Sequence, residues 1–236
     1  MIIHGINKLT LLDYPGHTAC TVFTGKCNFR CPFCQNAPLV LFPEREPKIS
    51  ENELFSFLEK RRGILEGVCV TGGEPTVSTD LLEFLSQIKA LGYLVKLDTN
   101  GANPELLKAA VEGKLVDYIA MDIKSSLDYY SQATGIPDLD LSLITKSTEF
   151  LMQCEIPYEF RTTIVRELHN KEILLSIANW LCGAEHYYLQ AFKDSGALIN
   201  KFTSQPITLS GYSRDELFEF VRLLTPYFKT VAVRGV

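Results

Sequence analysis

The stretch that decides the fold runs Tyr93-Leu94-Val95-Lys96-Leu97-Asp98-Thr99-Asn100-Gly101-Ala102-Asn103-Pro104, continues through Glu105-Leu106-Leu107-Lys108-Ala109-Ala110-Val111-Glu112, and reaches Asp117-Tyr118-Ile119-Ala120-Met121-Asp122-Ile123. Its first part is a short apolar run with strand character, and Asn103-Pro104 is a helix start, with a capping side chain followed by a residue that needs no backbone partner. The next segment has helical spacing, and a second apolar run follows it. Strand, helix, strand within about thirty residues is a parallel βα unit.

The same alternation extends in both directions. Strands are predicted at residues 18–24, 67–71, 93–98, 117–123, 158–165, 186–192 and 230–233, and helices at 51–62, 79–91, 104–112, 141–154, 171–181 and 214–225. Ser50 and Glu53 have the spacing of a capping box, and Thr79 is placed to cap the following helix. The chain carries no internal repeat, low-complexity tract or Gly/Ser linker, so residues 1–236 are expected to form a single domain. Six βα units are too few for a closed eight-stranded barrel. The expected class is therefore α/β, either an open partial (β/α)6 TIM-like barrel or a flatter doubly wound sheet, with function at the C-terminal ends of the strands.

Of the 236 residues, 46% are hydrophobic and 22% charged, the balance of a globular protein with a packed core. A net charge of −5 without a basic stripe argues against nucleic-acid binding. The N-terminus does not read as a secretory signal and no apolar run reaches membrane-spanning length, so a cytoplasmic location is expected. Seven cysteines in a reducing compartment argue for metal or catalysis rather than disulfides. Cys20, Cys69, Cys154 and Cys182 are dispersed among apolar neighbours and read as small buried hydrophobes.

The remaining three cysteines sit together in Gly25-Lys26-Cys27-Asn28-Phe29-Arg30-Cys31-Pro32-Phe33-Cys34-Gln35-Asn36, just after the strand at 18–24. Thiolates so spaced suit an iron–sulfur cluster or zinc. A zinc site would need a fourth ligand from Cys20, His17 or Cys69. Phe33 reads either as a core aromatic or as a wall beside the cluster.

The strand ends carry further polar groups. Val68-Cys69-Val70-Thr71-Gly72-Gly73-Glu74-Pro75 pairs two glycines, which allow close backbone approach, with a carboxylate acceptor. Leu97-Asp98-Thr99-Asn100-Gly101 sets a carboxylate, a hydroxyl and an amide where ribose or ammonium would suit them, or where an Asx turn would use them. Asp122 and Lys124 alternate along one strand face, Arg161 lies among apolar residues at 160–165, and Gln190 holds a similar place at 188–192. None of the four histidines has metal-ligand spacing with another, so structural or surface roles are expected.

The Cys-x-x-x-Cys-x-x-Cys loop after a strand, with Gly-Gly-Glu-Pro at the end of the next, resembles the radical S-adenosylmethionine (SAM) superfamily. That resemblance implies a [4Fe–4S] cluster on Cys27, Cys31 and Cys34, with SAM bound to the fourth iron. It also implies cofactor contacts from Phe33, Gly72, Gly73, Glu74, Asp98, Asp122, Lys124, Arg161 and Gln190. Reductive cleavage of SAM to a 5′-deoxyadenosyl radical follows, which requires a cluster potential toward roughly −700 mV and a flavodoxin- or ferredoxin-like donor.

Leu11-Leu12-Asp13-Tyr14-Pro15-Gly16, Thr21-Val22-Phe23 and the cysteine loop together resemble the longer activating proteins of anaerobic ribonucleoside-triphosphate reductase. Such proteins generate a glycyl radical on a partner enzyme. The alternatives are a pyruvate formate-lyase activating enzyme, a radical SAM enzyme acting on a small molecule or peptide, and a non-catalytic iron–sulfur or zinc module. The ending Val233-Arg234-Gly235-Val236 lacks the aromatic residue that usually follows a radical glycine, so this chain reads as activator rather than recipient. Replacing Cys27, Cys31 or Cys34 singly by Ala should abolish cluster assembly, measured by iron and sulfide content after anaerobic reconstitution, whereas Cys154→Ala should leave it intact.

Overall fold

The computed structural model describes residues 1–194 and 196–236. It contains eight strands, β1 (Ile3–Thr10), β2 (Ala19–Thr24), β3 (Gly67–Gly72), β4 (Leu94–Thr99), β5 (Tyr118–Asp122), β6 (Tyr158–Ile164), β7 (His186–Ala191) and β8 (Thr230–Arg234). The helices are α1 (Ala37–Leu41), α2 (Glu51–Arg61), α3 (Leu81–Ala90), α4 (Pro104–Glu112), α5 (Tyr130–Thr134), α6 (Leu141–Gln153), α7 (Lys171–Trp180) and α8 (Arg214–Leu224). Sheet order follows chain order from β1 to β8. β2–β3, β3–β4, β6–β7 and β7–β8 pair parallel, and β1 pairs antiparallel with β2. The α/β class with an open, mostly parallel sheet is as expected.

Two compact units make up the chain. One comprises Met1–Asn28, Pro38–Ala120 and Glu155–Pro157; the other comprises Phe29–Ala37, Met121–Cys154 and Tyr158–Val236. The core of the first is built from strand residues Val22, Val68, Val70, Val95 and Leu97 and from Leu54, Leu58, Leu81, Phe84, Leu85 and Ile88 on α2 and α3, all essentially inaccessible. The second buries Phe160, Tyr187 and Leu189 of β6 and β7 with Leu174, Ile177 and Leu217 of α7 and α8. No helix among the described residues is long and apolar enough to cross a membrane.

Helix boundaries follow the local chemistry. Ser50 caps α2 by accepting from the Glu53 N–H, and Asn103 caps α4 by accepting from the Leu106 N–H, with Pro104 at the first helical position. Thr79 does not cap α3; Asp80 occupies the N-cap position without a capping side-chain bond. The reciprocal capping box lies instead at Ser213 and Glu216 of α8.

Strand β1 is absent from the sequence expectation, because register shifts between Ile3 and Gly5 and between Asn7 and Thr10 break the two-residue period. Two cysteines also depart from it. Cys182 is exposed, and Cys154 is half-buried with its thiol donating to the Leu151 carbonyl at 3.1 Å. Phe84→Ala should cost about 3–5 kcal/mol by opening a cavity under α3, read as a lowered urea midpoint with unchanged m-value.

Candidate active site

In the first unit the site begins where β2 ends. Lys26 takes a left-handed conformation (φ 63°), which swings the chain into the cysteine loop, and its N–H donates to the Leu39 carbonyl at 2.8 Å. β3 closes onto this turn: the Gly73 N–H donates to Thr24 O and the Glu74 N–H to Lys26 O, both at 2.8 Å. A Cβ on Gly73 would stand 1.8 Å from the Lys26 carbonyl oxygen, and one on Gly72 (φ 116°) 2.4 Å from Thr24 backbone atoms. The close approach that these glycines permit is therefore made to the root of the cysteine loop itself.

Glu74 is fully buried. Its Oε1 accepts from the Thr76 N–H (3.1 Å), the Thr76 hydroxyl (2.6 Å) and the Thr99 hydroxyl (2.8 Å), while Oε2 accepts from the Asn100 N–H (2.7 Å). Burial pushes its carboxyl above the usual range, against the pull of these donors. Through that last bond the carboxylate fixes the end of β4, where Asn100 Nδ2 donates to Asn28 Oδ1 at 2.7 Å and lies 3.9 Å from Cys27 Sγ.

Asn100 also accepts from the Ala102 N–H at 3.0 Å, so an Asx turn and a contact to the cysteine loop coexist in one side chain. Asp98 pairs with Lys96, a buried residue two positions earlier on the same strand face whose ammonium lies 3.8 Å from Cys69 Sγ. The Asn100 amide is among the strand-end groups read from sequence, without its contact to Cys27; Lys96 is not. Lys96 repeats the i, i+2 pattern of Asp122 and Lys124 in reverse order, which was its available signal.

The second unit assembles charges. Asp122 Oδ1 accepts from Arg161 Nε at 2.9 Å, and Oδ2 from Lys124 Nζ at 3.0 Å. Burial alone would raise the Asp122 carboxyl, but Arg161 and Lys124 outweigh it and hold it down at about 2. Lys124 is held above its ordinary value against burial by Asp122 and by the nearby Cys31. Burial pushes the Cys34 thiol up, and Lys124 draws it down.

Cys31 and Cys34 share a turn in which the Cys34 N–H donates to the Cys31 carbonyl at 3.0 Å. Phe33 is buried and packs edge-on against His169, with ring centroids 6.3 Å apart. His169 Nδ1 accepts from the Val165 N–H at 3.1 Å, which leaves the ring proton on Nε2 to donate to the Lys124 carbonyl at 2.9 Å. Gln190 is half-buried and lies 3.5 Å from the Thr163 hydroxyl. Thus Asp122, Lys124, Arg161, Cys31 and Cys34 gather in one unit, and Gly72, Gly73, Glu74, Asp98 and Cys27 in the other.

A sequence profile of the radical SAM superfamily matches residues 21–178, two-thirds of the chain, and the chain belongs to that superfamily. It is 27% identical over 239 residues to a Methanocaldococcus jannaschii protein named as a glycyl-radical enzyme activating enzyme, an alignment spanning 100% of this chain and 96% of the relative. It is 29% identical over 153 residues to a Thermococcus kodakarensis protein named as a GTP 3′,8-cyclase, covering 64% of this chain and 48% of that one. Among solved structures, Streptococcus suis SuiB bound to S-adenosylmethionine shares the fold at a TM-score of 0.66 over 90% of this chain, with 14% identity; the chain spans 49% of SuiB.

The cofactors of the superfamily, and of this protein, are a [4Fe–4S] cluster and SAM. The donor set fits them. Three thiols come from one short loop anchored by backbone bonds at Lys26, and a cation, Lys124, stands near Cys31 and Cys34, where thiolate charge would gather. Among the described residues no three His, Cys, Asp or Glu side chains converge on a single ion position. A four-iron cluster does not ask for that, since each thiolate meets its own iron. Cys20 and Cys69, the partners a zinc site would have recruited, are buried strand residues, and burial pushes the Cys20 thiol up to about 12.

The depressed Asp122 carboxyl ties stability to pH. Its folded-state value lies below the ordinary 3.8, so its contribution is complete above about pH 4 and is lost as pH falls toward 2. A depression of about two units corresponds to roughly 2–3 kcal/mol. Urea unfolding at pH 6 and pH 2.5 should show a smaller loss between the two conditions for Asp122→Asn than for the wild type.

Proposed function

We propose that this protein is a glycyl-radical activating enzyme whose partner is an anaerobic ribonucleoside-triphosphate reductase. The observation that carries the reading is the end-to-end likeness to a relative bearing the activating-enzyme name, together with the Leu-Leu-Asp-Tyr-Pro-Gly segment and cysteine loop of this chain. When bound, the cluster and SAM supply a 5′-deoxyadenosyl radical by reductive cleavage, with an electron from a flavodoxin- or ferredoxin-like donor.

The chain's own residues bind and orient. Cys27, Cys31 and Cys34 take the cluster, and Gly72 and Gly73 hold the loop's root against β3. The Asp122 carboxylate, flanked by two cations, is kept ionised to meet an ammonium, while Arg161 and Lys124 balance a carboxylate. Asp98 and Gln190 offer an anionic acceptor and an amide to ribose and base edges. Glu74 acts at one remove, by setting Asn100 beside Cys27. Residues 1–236 act together as one radical SAM domain.

The partial match to a GTP cyclase supports a second reading, a radical enzyme for a small molecule. Anaerobically reconstituted protein with dithionite and SAM should yield 5′-deoxyadenosine, and no product would end both radical readings. On mixing with an anaerobic ribonucleoside-triphosphate reductase, the reductase should acquire a glycyl-radical resonance. A silent reductase beside a pyruvate formate-lyase that gains the signal would move the assignment to the lyase, and silence in both would favour the small-molecule reading.

A further inference from the structure

The first unit holds a cavity of about 630 Å³ that none of the residues assigned above to the cluster or to SAM lines. The segment that supplies Pro43 and Lys48 to it is tied to β1: the Ile49 N–H donates to the Ile3 carbonyl at 2.9 Å, and His4 Nδ1 meets the Pro47 carbonyl at 2.9 Å. A carbonyl only accepts, so the ring proton is on Nδ1 and Nε2 is an acceptor. His4 lines the cavity, is 8% exposed, and finds no partner for Nε2 among the described residues. A Cβ on Gly25, which also lines the cavity, would stand 2.3 Å from this nitrogen, so the missing side chain is what leaves space in front of it.

Four more polar groups on the same cavity are unpaired. Lys26 and Lys48 have no ion-pair partner, and the Ser78 and Thr79 hydroxyls no hydrogen bond, among the described residues. Asp80 pairs with the Met1 amino group instead of capping α3, so the positive end of that helix stays uncapped next to Ser78 and Thr79. The other lining carboxylate, Glu44, has an oxygen 3.8 Å from Arg45.

We propose that this cavity binds a nucleoside phosphate. Two unpaired ammonium groups, two hydroxyls and an uncapped helix end suit an anion more highly charged than a single carboxylate. A phosphate alone fills only a small part of the space, whose volume is within the range of small-molecule sites, so the anion carries a body. Ile2, Pro43 and Val77 give that body apolar surface, and the His4 acceptor requires an N–H donor from it. A nucleobase supplies both, as a flat ring edged with N–H groups, whereas a sugar phosphate has donors but no apolar face. The cavity adjoins the root of the cysteine loop, since Lys26 lines it while the Lys26 carbonyl accepts from the Glu74 N–H.

Equilibrium dialysis of the reconstituted holoprotein with radiolabelled ATP, GTP, CTP and UTP tests this. Saturating SAM without reductant keeps the cofactor site filled, so nucleotide bound in its presence reports a separate site. At least one of the four should bind saturably, one per chain, and more weakly as KCl is raised. Lys26→Met and Lys48→Met should each weaken that binding by about tenfold. His4→Phe, which keeps a ring but no acceptor, should weaken it several-fold. Inorganic tripolyphosphate should displace the nucleotide only at much higher concentration.

No saturable binding of any of the four at millimolar concentration would overturn the proposal, and so would lysine variants that bind as the wild type does. Tripolyphosphate as effective as the nucleotide would reduce the cavity to an anion site and sink the nucleoside reading. Lys48 lies outside the cysteine loop, so Lys48→Met reads the cavity even where Lys26→Met disturbs cluster assembly or His4→Phe fails to fold.

Discussion

The Glu74 carboxylate is the constraint on which the first unit's site depends. It sits among the threonine hydroxyls and backbone N–H groups of two strand ends, and accepts four hydrogen bonds. A hydrogen bond to a charged group is worth about 1.5–3 kcal/mol, and burying a carboxylate with no donors costs more than any one of them returns. Satisfying it therefore requires the end of β3, the short turn at Pro75–Val77 and the end of β4 to be correctly placed at once. Because Asn100 is among the donors, that requirement extends to Cys27.

A backbone clamp acts beside the carboxylate. The Gly73 and Glu74 N–H groups reach Thr24 and Lys26 only because positions 72 and 73 lack a Cβ. Lys26 in turn accepts a left-handed backbone that costs a non-glycine residue about 1–2 kcal/mol. The bonds to Lys26 O and from Lys26 N are of the size needed to offset that strain. The cysteine loop thus begins from a direction fixed by backbone atoms.

How much of this was legible follows from whether the signal was local. The parallel βα units, the Asn103-Pro104 cap and the cysteine spacing depend on residues a few positions apart, and the structure carries the first two. The Gly-Gly-Glu-Pro segment was readable as a motif, yet not as a clamp, because sequence does not say which backbone a glycine admits. β1 escaped because its bulges erase the alternation that identifies a strand. Glu159 and Arg234 are 75 positions apart, and only the adjacency of β6, β7 and β8 brings them within bonding distance. A long-range ion pair leaves no periodic trace.

The two units hold their carboxylates, one buried and one half-buried, by different electrostatic means. Glu74 is held by neutral donors, which fix position and direction but leave burial to push its carboxyl up. Asp122 is held by two cations, which keep it ionised well below the usual range. Neutral donors suit a group whose work is to hold chain segments together, since their bonds are short, directional and little affected by salt. Paired cations suit a group that must present charge to an incoming ligand and exchange partners as it binds. The chemistry around each carboxylate thus separates the scaffold of the cysteine loop from the charged cluster to which the proposed cofactor contacts are assigned, even though both lie at strand ends of a single superfamily fold.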